Sequence, residues 1–223
     1  MSARFFPVAS GFDLAPRHVF QGLLFDQELA LWRDDQGRVN AWENRCPHRG
    51  VRLTIGHNLG GVLKCQYHGW RYASGSGTGV TVPAHPGAPI PAAICAKVFP
   101  ALEVDGIVFA ALEEAPPPVL PQLPAGARIV LRPRPVASAP AAVAERLAGF
   151  RFGDFAGRTF AQRPTTVETL DPFTIRATAD VTILFLLQPR GAGTMIHGIL
   201  VGAPAAARGA VDDLLSDLLE GRR

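Results

Sequence analysis

The chain has 223 residues, 48% of them hydrophobic and 18% charged, with a net charge of +3; this excludes a disordered chain and allows two small domains with separate cores. Its 22 basic residues are scattered among 19 acidic ones, which argues against nucleic-acid binding. No run approaches the roughly 20 apolar residues of a membrane span, and residues 1–7 lack a secretion-signal layout, so no membrane association and a cytoplasmic location are expected.

Residues 19–25, 28–33 and 39–43 alternate as short strands around the turn Asp34-Asp35-Gln36-Gly37 and predict a small antiparallel sheet. From residue 44 to 100, Gly and Pro interrupt every apolar run, so this segment cannot build a core unaided and a staple is expected. Residues 104–112 read as a closing strand. Pro116-Pro117-Pro118 and Pro121 then make a stiff extended stretch, which sets the expected division: a first domain over 1–115, a linker over 116–126 and a second domain over 127–223.

The second part reads as a strand at 127–132, a short helix at 139–148 capped by Ser138, and strands at 175–179, 181–188 and 195–201. Val211, Leu214, Leu215, Leu218 and Leu219 recur at helical spacing, with Asp212 and Asp213 expected in the first turn and Arg222 and Arg223 beyond Gly221. The fold class is therefore mainly β with some α.

Three cysteines give no disulfide framework, and Cys95, in the apolar run 94–98, reads as a small buried hydrophobe. The other two belong to Cys46-Pro47-His48-Arg49-Gly50 and Cys65-Gln66-Tyr67-His68-Gly69-Trp70. Each segment offers one thiolate and one imidazole from a tight turn. A [2Fe-2S] core takes four protein ligands, and two imidazoles replace two thiolates on one iron only. Cys46 and Cys65 would hold one iron, His48 and His68 the other, with Gly50 and Gly69 allowing the loops to meet. Two Cys and two His are also a zinc set, but zinc modules commonly space paired ligands by two residues or more, whereas one residue separates Cys46 from His48. Imidazole ligands that can lose a proton would couple electron transfer to pH.

In these loops, together with Phe6-Pro7-Val8-Ala9, Ala30-Leu31-Trp32-Arg33 and Val82-Pro83-Ala84, the sequence resembles the Rieske non-haem iron oxygenase α-subunit family over residues 6–112. The resemblance implies a Rieske antiparallel β domain with two cluster-binding loops, then a short α+β remnant of the helix-grip-like catalytic domain. The quinol-oxidising branch fits less well. Its extra Cys in each ligand loop is replaced by Val51 and Tyr67; without that disulfide or the hydroxyl donors of those loops, a potential nearer about −150 mV than +300 mV is expected.

Oxygenases of the family pass the electron to a mononuclear iron in a D-x-x-H-x-x-x-x-H motif. Asp171 matches the acid that bridges towards a cluster histidine, but Thr174 and Ala179 stand where the iron-binding histidines belong, and beyond His85 the only histidine is His197. Asp212 or Asp213 matches the carboxylate ligand no better than it matches a helix cap. His197 reads as a hydrogen-bonded core residue; His57 and His85 read as surface polar residues, and His18 carries no motif. The expectation is a shortened member without mononuclear Fe(II). It would be an electron-transfer protein or accessory subunit, fed by a reductase or ferredoxin and passing electrons to an oxygenase subunit in a homo- or hetero-oligomer, a trimer by family precedent. A stand-alone oxygenase with an atypical metal site, and a redox-sensing or structural subunit, are the alternatives.

Overall fold

The computed structural model describes residues 4–152, 154, 155, 158, 159 and 164–220, and the chain divides into two units, Met1–Pro118 and Val119–Arg223. The described residues are mostly antiparallel β with two α-helices.

The first unit contains β1 (Phe6–Ser10), β2 (Phe20–Leu24), β3 (Gln27–Arg33), β4 (Val39–Glu43), β5 (His57–Asn58), β6 (Val62–Lys64), β7 (Arg71–Ala73), β8 (Gly79–Thr81), β9 (Val98–Phe99), β10 (Ala101–Val104) and β11 (Ile107–Ala110). They form three antiparallel sheets, in the orders β1-β11-β10, β2-β3-β4-β9 and β5-β6-β7-β8. The expected closing strand at 104–112 is a hairpin. Asp105 and Gly106 take φ of 49° and 78°, the positive pair that a two-residue turn between right-twisted strands demands, so β10 ends where the expected strand began.

The turn-rich segment does share a core, although it could not build one alone. Leu53, Leu63, Tyr72 and Ala96 pack against Trp32 and Trp42 of the β2-β3-β4-β9 sheet, together with Cys46 and Cys65. Buried polar side chains tie the two sheets. Asn58 donates from Nδ2 to the carbonyls of His18 and Arg33 and accepts the Gly60 N–H. Asp34 accepts the N–H groups of Gln36 and Arg38, fixing the predicted turn, and also accepts the Ser74 hydroxyl at 2.6 Å from the β5–β8 sheet.

The second unit contains β12 (Arg128–Val130), β13 (Arg134–Val136), α1 (Pro140–Ala148), the small paired strands β14 (Asp154–Phe155) and β15 (Arg158–Thr159), then β16 (Thr166–Asp171), β17 (Thr174–Thr178), β18 (Thr182–Arg190), β19 (Gly193–Val201) and α2 (Ala207–Glu220). The main sheet runs β12-β19-β18-β17-β16, with β13 also on β19. One face, carrying Ile175, Ile183, Phe185, Leu187, Ile196 and Leu200, packs against Val143 and Leu147 of α1 and Val211, Leu214 and Leu215 of α2.

Two helix starts differ from expectation. Ala139, not Ser138, occupies the cap position of α1 and makes no side-chain bond; Pro140 opens the helix with its fixed φ and missing N–H, and the Ser138 carbonyl instead accepts the Thr194 hydroxyl at 2.7 Å. α2 begins at Ala207, so Asp212 and Asp213 lie in its second turn and cap nothing. Gly221, Arg222 and Arg223 lie outside the described residues. Among the described residues no helix is long and apolar enough to cross a membrane.

Candidate metal centre

The two Cys–His segments sit in loops of the same construction. The first leaves β4; the second joins β6 to β7. In the first, the Cys46 N–H donates to the Val51 carbonyl and the Gly50 N–H to the Cys46 carbonyl, both at 2.8 Å. In the second, the Cys65 N–H donates to the Trp70 carbonyl at 2.8 Å and the Gly69 N–H to the Cys65 carbonyl at 3.1 Å. Gly50 and Gly69 take φ of 69° and 72°, the left-handed backbone that closes each ring and that a side chain would strain.

This construction buries the thiols and presents the imidazoles. Cys46 and Cys65 are buried, His48 is half-buried and His68 exposed. The rings of His48 and His68 meet edge to face with centroids 4.8 Å apart, so the loop tips do come together. Trp70 stacks on His48 at 4.2 Å and nearly parallel, while Tyr67 lies tilted on His68 at 3.8 Å. Partial burial holds the His48 pKa below the ordinary imidazole value, with the charges of His68 and Arg49 pushing the same way. Burial pushes the Cys65 thiol up and the adjoining Cys46 thiol adds to this, while the backbone N–H groups of Tyr67 and His68 pull it down.

Tyr72 supplies the contact that sequence reasoning missed. Its hydroxyl lies 3.1 Å from Cys46 Sγ, with both groups buried. The ring is held from behind by Trp42, itself set edge-on against Trp32. Burial first, and the Cys46 thiol second, keep the phenol's pKa far above its usual value, so Tyr72 keeps its proton and can donate it to a Cys46 thiolate. The premise that hydroxyl donors are missing is thereby corrected. The loops lack a disulfide, but one hydroxyl donor reaches a thiol. The nearest sequence signal was a Tyr spaced an odd number of residues after Cys65 on a short strand, too weak to assign a role.

The donor set fits a two-iron cluster. The buried thiols form one pair and the outer imidazoles, with ring centroids 4.8 Å apart, form the other, so Cys46 and Cys65 would hold one iron and His48 and His68 the second. The hydroxyl of Tyr72 and the N–H groups of Tyr67 and His68 point at sulfur, where they would stabilise thiolate charge. Loop 1 is anchored independently: the Arg52 guanidinium grips Glu28 with two bonds of 3.0 and 2.6 Å, and buried Asn44 accepts the Thr54 N–H.

Asp171, His197 and Asp212 belong to the second unit. Asp171 ends β16, where its carboxylate accepts the Phe173 N–H at 2.8 Å across the β16–β17 turn. His197 is buried in β19 opposite Leu186 and shares a 3.3 Å hydrogen bond with Gln188; Nδ1 has no partner, and burial lowers the pKa to about 3. Asp212 is 8% exposed, its pKa raised by burial against the pull of Arg134, Arg132 and Arg208. Cys95 is half-buried rather than buried, its thiol 3.3 Å from the Ser76 carbonyl. His18, His57 and His85 are exposed.

Residues 4–100 match the family model described as Rieske [2Fe-2S] domain. Among curated proteins, the oxidoreductase NdmD of Pseudomonas putida is 54% identical over 113 residues, 51% of this chain and 19% of NdmD. The toluene-4-sulfonate monooxygenase system iron-sulfur subunit TsaM1 of Comamonas testosteroni is 38% identical over 97 residues, 44% of this chain and 27% of TsaM1. The matches thus span 19% to 27% of these relatives' length. Among solved structures, Pseudomonas putida CBB5 NdmA superposes with a TM-score of 0.75 over 96% of this chain and 78% of NdmA, at 20% identity. Dicamba monooxygenase bound to dicamba gives 0.74 over 95% and 80%, also at 20% identity. These two show a shared fold that extends through the second unit.

Proposed function

From a chain that carries a Rieske [2Fe-2S] domain over residues 4–100, we propose an electron-transfer protein or accessory subunit of a Rieske-type oxygenase system, with Cys46, His48, Cys65 and His68 as the cluster ligands. The supporting observation is the layered site: thiols buried against the Tyr72 hydroxyl, imidazoles outermost with ring centroids 4.8 Å apart. A cluster held there supplies one-electron oxidation and reduction.

The chain's own residues do the rest. The Trp32, Trp42 and Tyr72 stack excludes water from the thiol side, and the two backbone rings hold the loops in register. His68 puts its imidazole at the surface, where a partner can approach within electron-transfer distance. A reductase or ferredoxin would deliver electrons, and an oxygenase chain with its own mononuclear iron would receive them within a mixed oligomer. His197 is the only histidine after His85, and it is buried beside Gln188. This supports placing a two-histidine site outside these 223 residues.

Iron content and reconstitution test this. Two irons per chain, and electron delivery to an added oxygenase subunit that is abolished by Cys46→Ser or His68→Cys, are expected. The fold shared with NdmA through the second unit favours a second reading, an oxygenase working alone with an atypical metal site. A third iron with substrate-dependent oxygen uptake by the isolated chain would establish that reading and sink the first.

A further inference from the structure

Within the second unit, β13, the residues that lead from it to α1, and the last turns of α2 line a pocket of about 330 Å³. Its polar lining is Arg134, Ser138, Arg146 and Ser216, with no acid among the lining residues. Ser216 fixes the first guanidinium: its hydroxyl donates to the Asp212 carbonyl at 2.9 Å, which leaves the oxygen's lone pairs to accept Arg134 Nη1. Arg134 Nε is buried and has no hydrogen-bond partner. The second guanidinium is fixed by main chain, Arg146 Nη1 donating to the Leu219 carbonyl at 2.8 Å in the last turn of α2. Neither arginine forms an ion pair with another described residue. Asp212, one turn before Ser216, feels Arg134 at longer range and makes no ion pair with it.

We propose that this pocket binds a small organic oxyanion, a carboxylate or a phosphate monoester with a compact apolar body. The proposal goes beyond the electron-transfer reading and does not depend on the cluster. The charged head follows from the donors. Each guanidinium spends one N–H on holding its place and keeps others for a ligand, and a planar fork of N–H groups matches the oxygens of a carboxylate or a phosphate. A buried N–H without an acceptor costs stability, and an arriving oxyanion supplies the missing acceptor. A cationic ligand would meet two arginines and no acid to offset them. The apolar body follows from the remaining wall, where Pro135, Val136 and Leu219 offer carbon. The volume sits at the lower end of small-molecule sites, about 300–1,000 Å³, and exceeds what a bare inorganic ion fills.

The test titrates the full chain calorimetrically with phenyl phosphate, benzoate, inorganic phosphate and benzyl alcohol. Phenyl phosphate or benzoate should bind about tenfold or more tightly than inorganic phosphate, which lacks the body, and than benzyl alcohol, which lacks the charge. Whichever of the two organic anions binds more tightly identifies the head group. Arg146→Gln changes an exposed position of α1 and should weaken that binding about tenfold, the factor for one hydrogen bond to a charged group. Arg134→Gln should weaken it at least as much, and Ser216→Ala, which frees the Arg134 guanidinium to move, several-fold. Arg128→Gln, on β12 and outside the pocket lining, should leave it unchanged. Circular dichroism checks the fold of each variant; should Arg134→Gln not fold, Arg146→Gln and Ser216→Ala decide. Absence of binding by both organic anions overturns the proposal. So does equal affinity in wild type, Arg146→Gln and Ser216→Ala, or binding of inorganic phosphate or benzyl alcohol as tight as that of the organic anions.

Discussion

Replacing Tyr72 by Phe isolates one hydrogen bond, because the ring contact with Trp42 is retained and only the hydroxyl 3.1 Å from Cys46 Sγ is lost. A hydrogen bond to a charged acceptor contributes about 1.5–3 kcal/mol. Only the part that strengthens when the cluster gains negative charge moves the potential. Taking this as about half of the upper figure gives ~1.4 kcal/mol, or ~60 mV for a one-electron couple. The sign follows from which state needs the donor more: the reduced state carries more charge on sulfur, so Tyr72→Phe should lower the midpoint potential. The assay is a potentiometric titration at fixed pH followed by the electron paramagnetic resonance of the reduced cluster, with iron content matched between wild type and variant. A shift below about 15 mV, or an upward one, would refute the argument that this hydroxyl tunes the centre.

Four further outcomes are expected. Gly69→Ala should impair cluster retention more than Gly50→Ala, as measured by iron content after gel filtration: both residues lie at positive φ, but a Cβ on Gly69 would press Pro83 at 3.2 Å, whereas one on Gly50 meets nothing within 4 Å. Asn58→Ala should destabilise the first unit by about 2 kcal/mol in urea unfolding, since it strands the Gly60 N–H and the Arg33 carbonyl in a buried place. Acid should destabilise the second unit through His197. The unfolded imidazole binds a proton below about pH 6.5 while the buried one stays neutral until about 3, so stability falls as pH drops through that window. The loss reaches ~2 kcal/mol at pH 5, and His197→Leu should remove that part of the slope. Finally, a chelator that strips the iron should abolish the visible spectrum while leaving the far-ultraviolet circular dichroism of the first unit largely intact.

The two Cys–His loops were legible because their signals are local: a Cys and a His separated by one or two residues and a glycine just behind, all within one turn. The Asp34 turn was legible for the same reason, its carboxylate bonding backbone groups two and four residues on. What depends on distant partners was not. Tyr72 acquires its role from Cys46, 26 residues away, through a core that Trp32 and Trp42 complete. Two misreadings had signals that were outweighed. Asp105-Gly106 carries a strong hairpin signature inside an apolar run, and Pro140 marks the first turn of α1 more firmly than Ser138 marks its cap. Cys95 looked buried by its neighbours, yet its strand-like segment pairs only through a single bridge to Thr78 and leaves it half open.

The matched backbone rings of the two loops bear on how the electron moves. Each loop is closed by its own main chain, at Val51 and Gly50 in one and at Trp70 and Gly69 in the other. Neither closure uses a donor atom that a metal would claim. The receptacle is therefore shaped by the polypeptide before iron arrives, and a change of one charge inside it has few soft coordinates to relax along. A cluster bound in such a receptacle would gain or lose an electron with little movement of the loops around it.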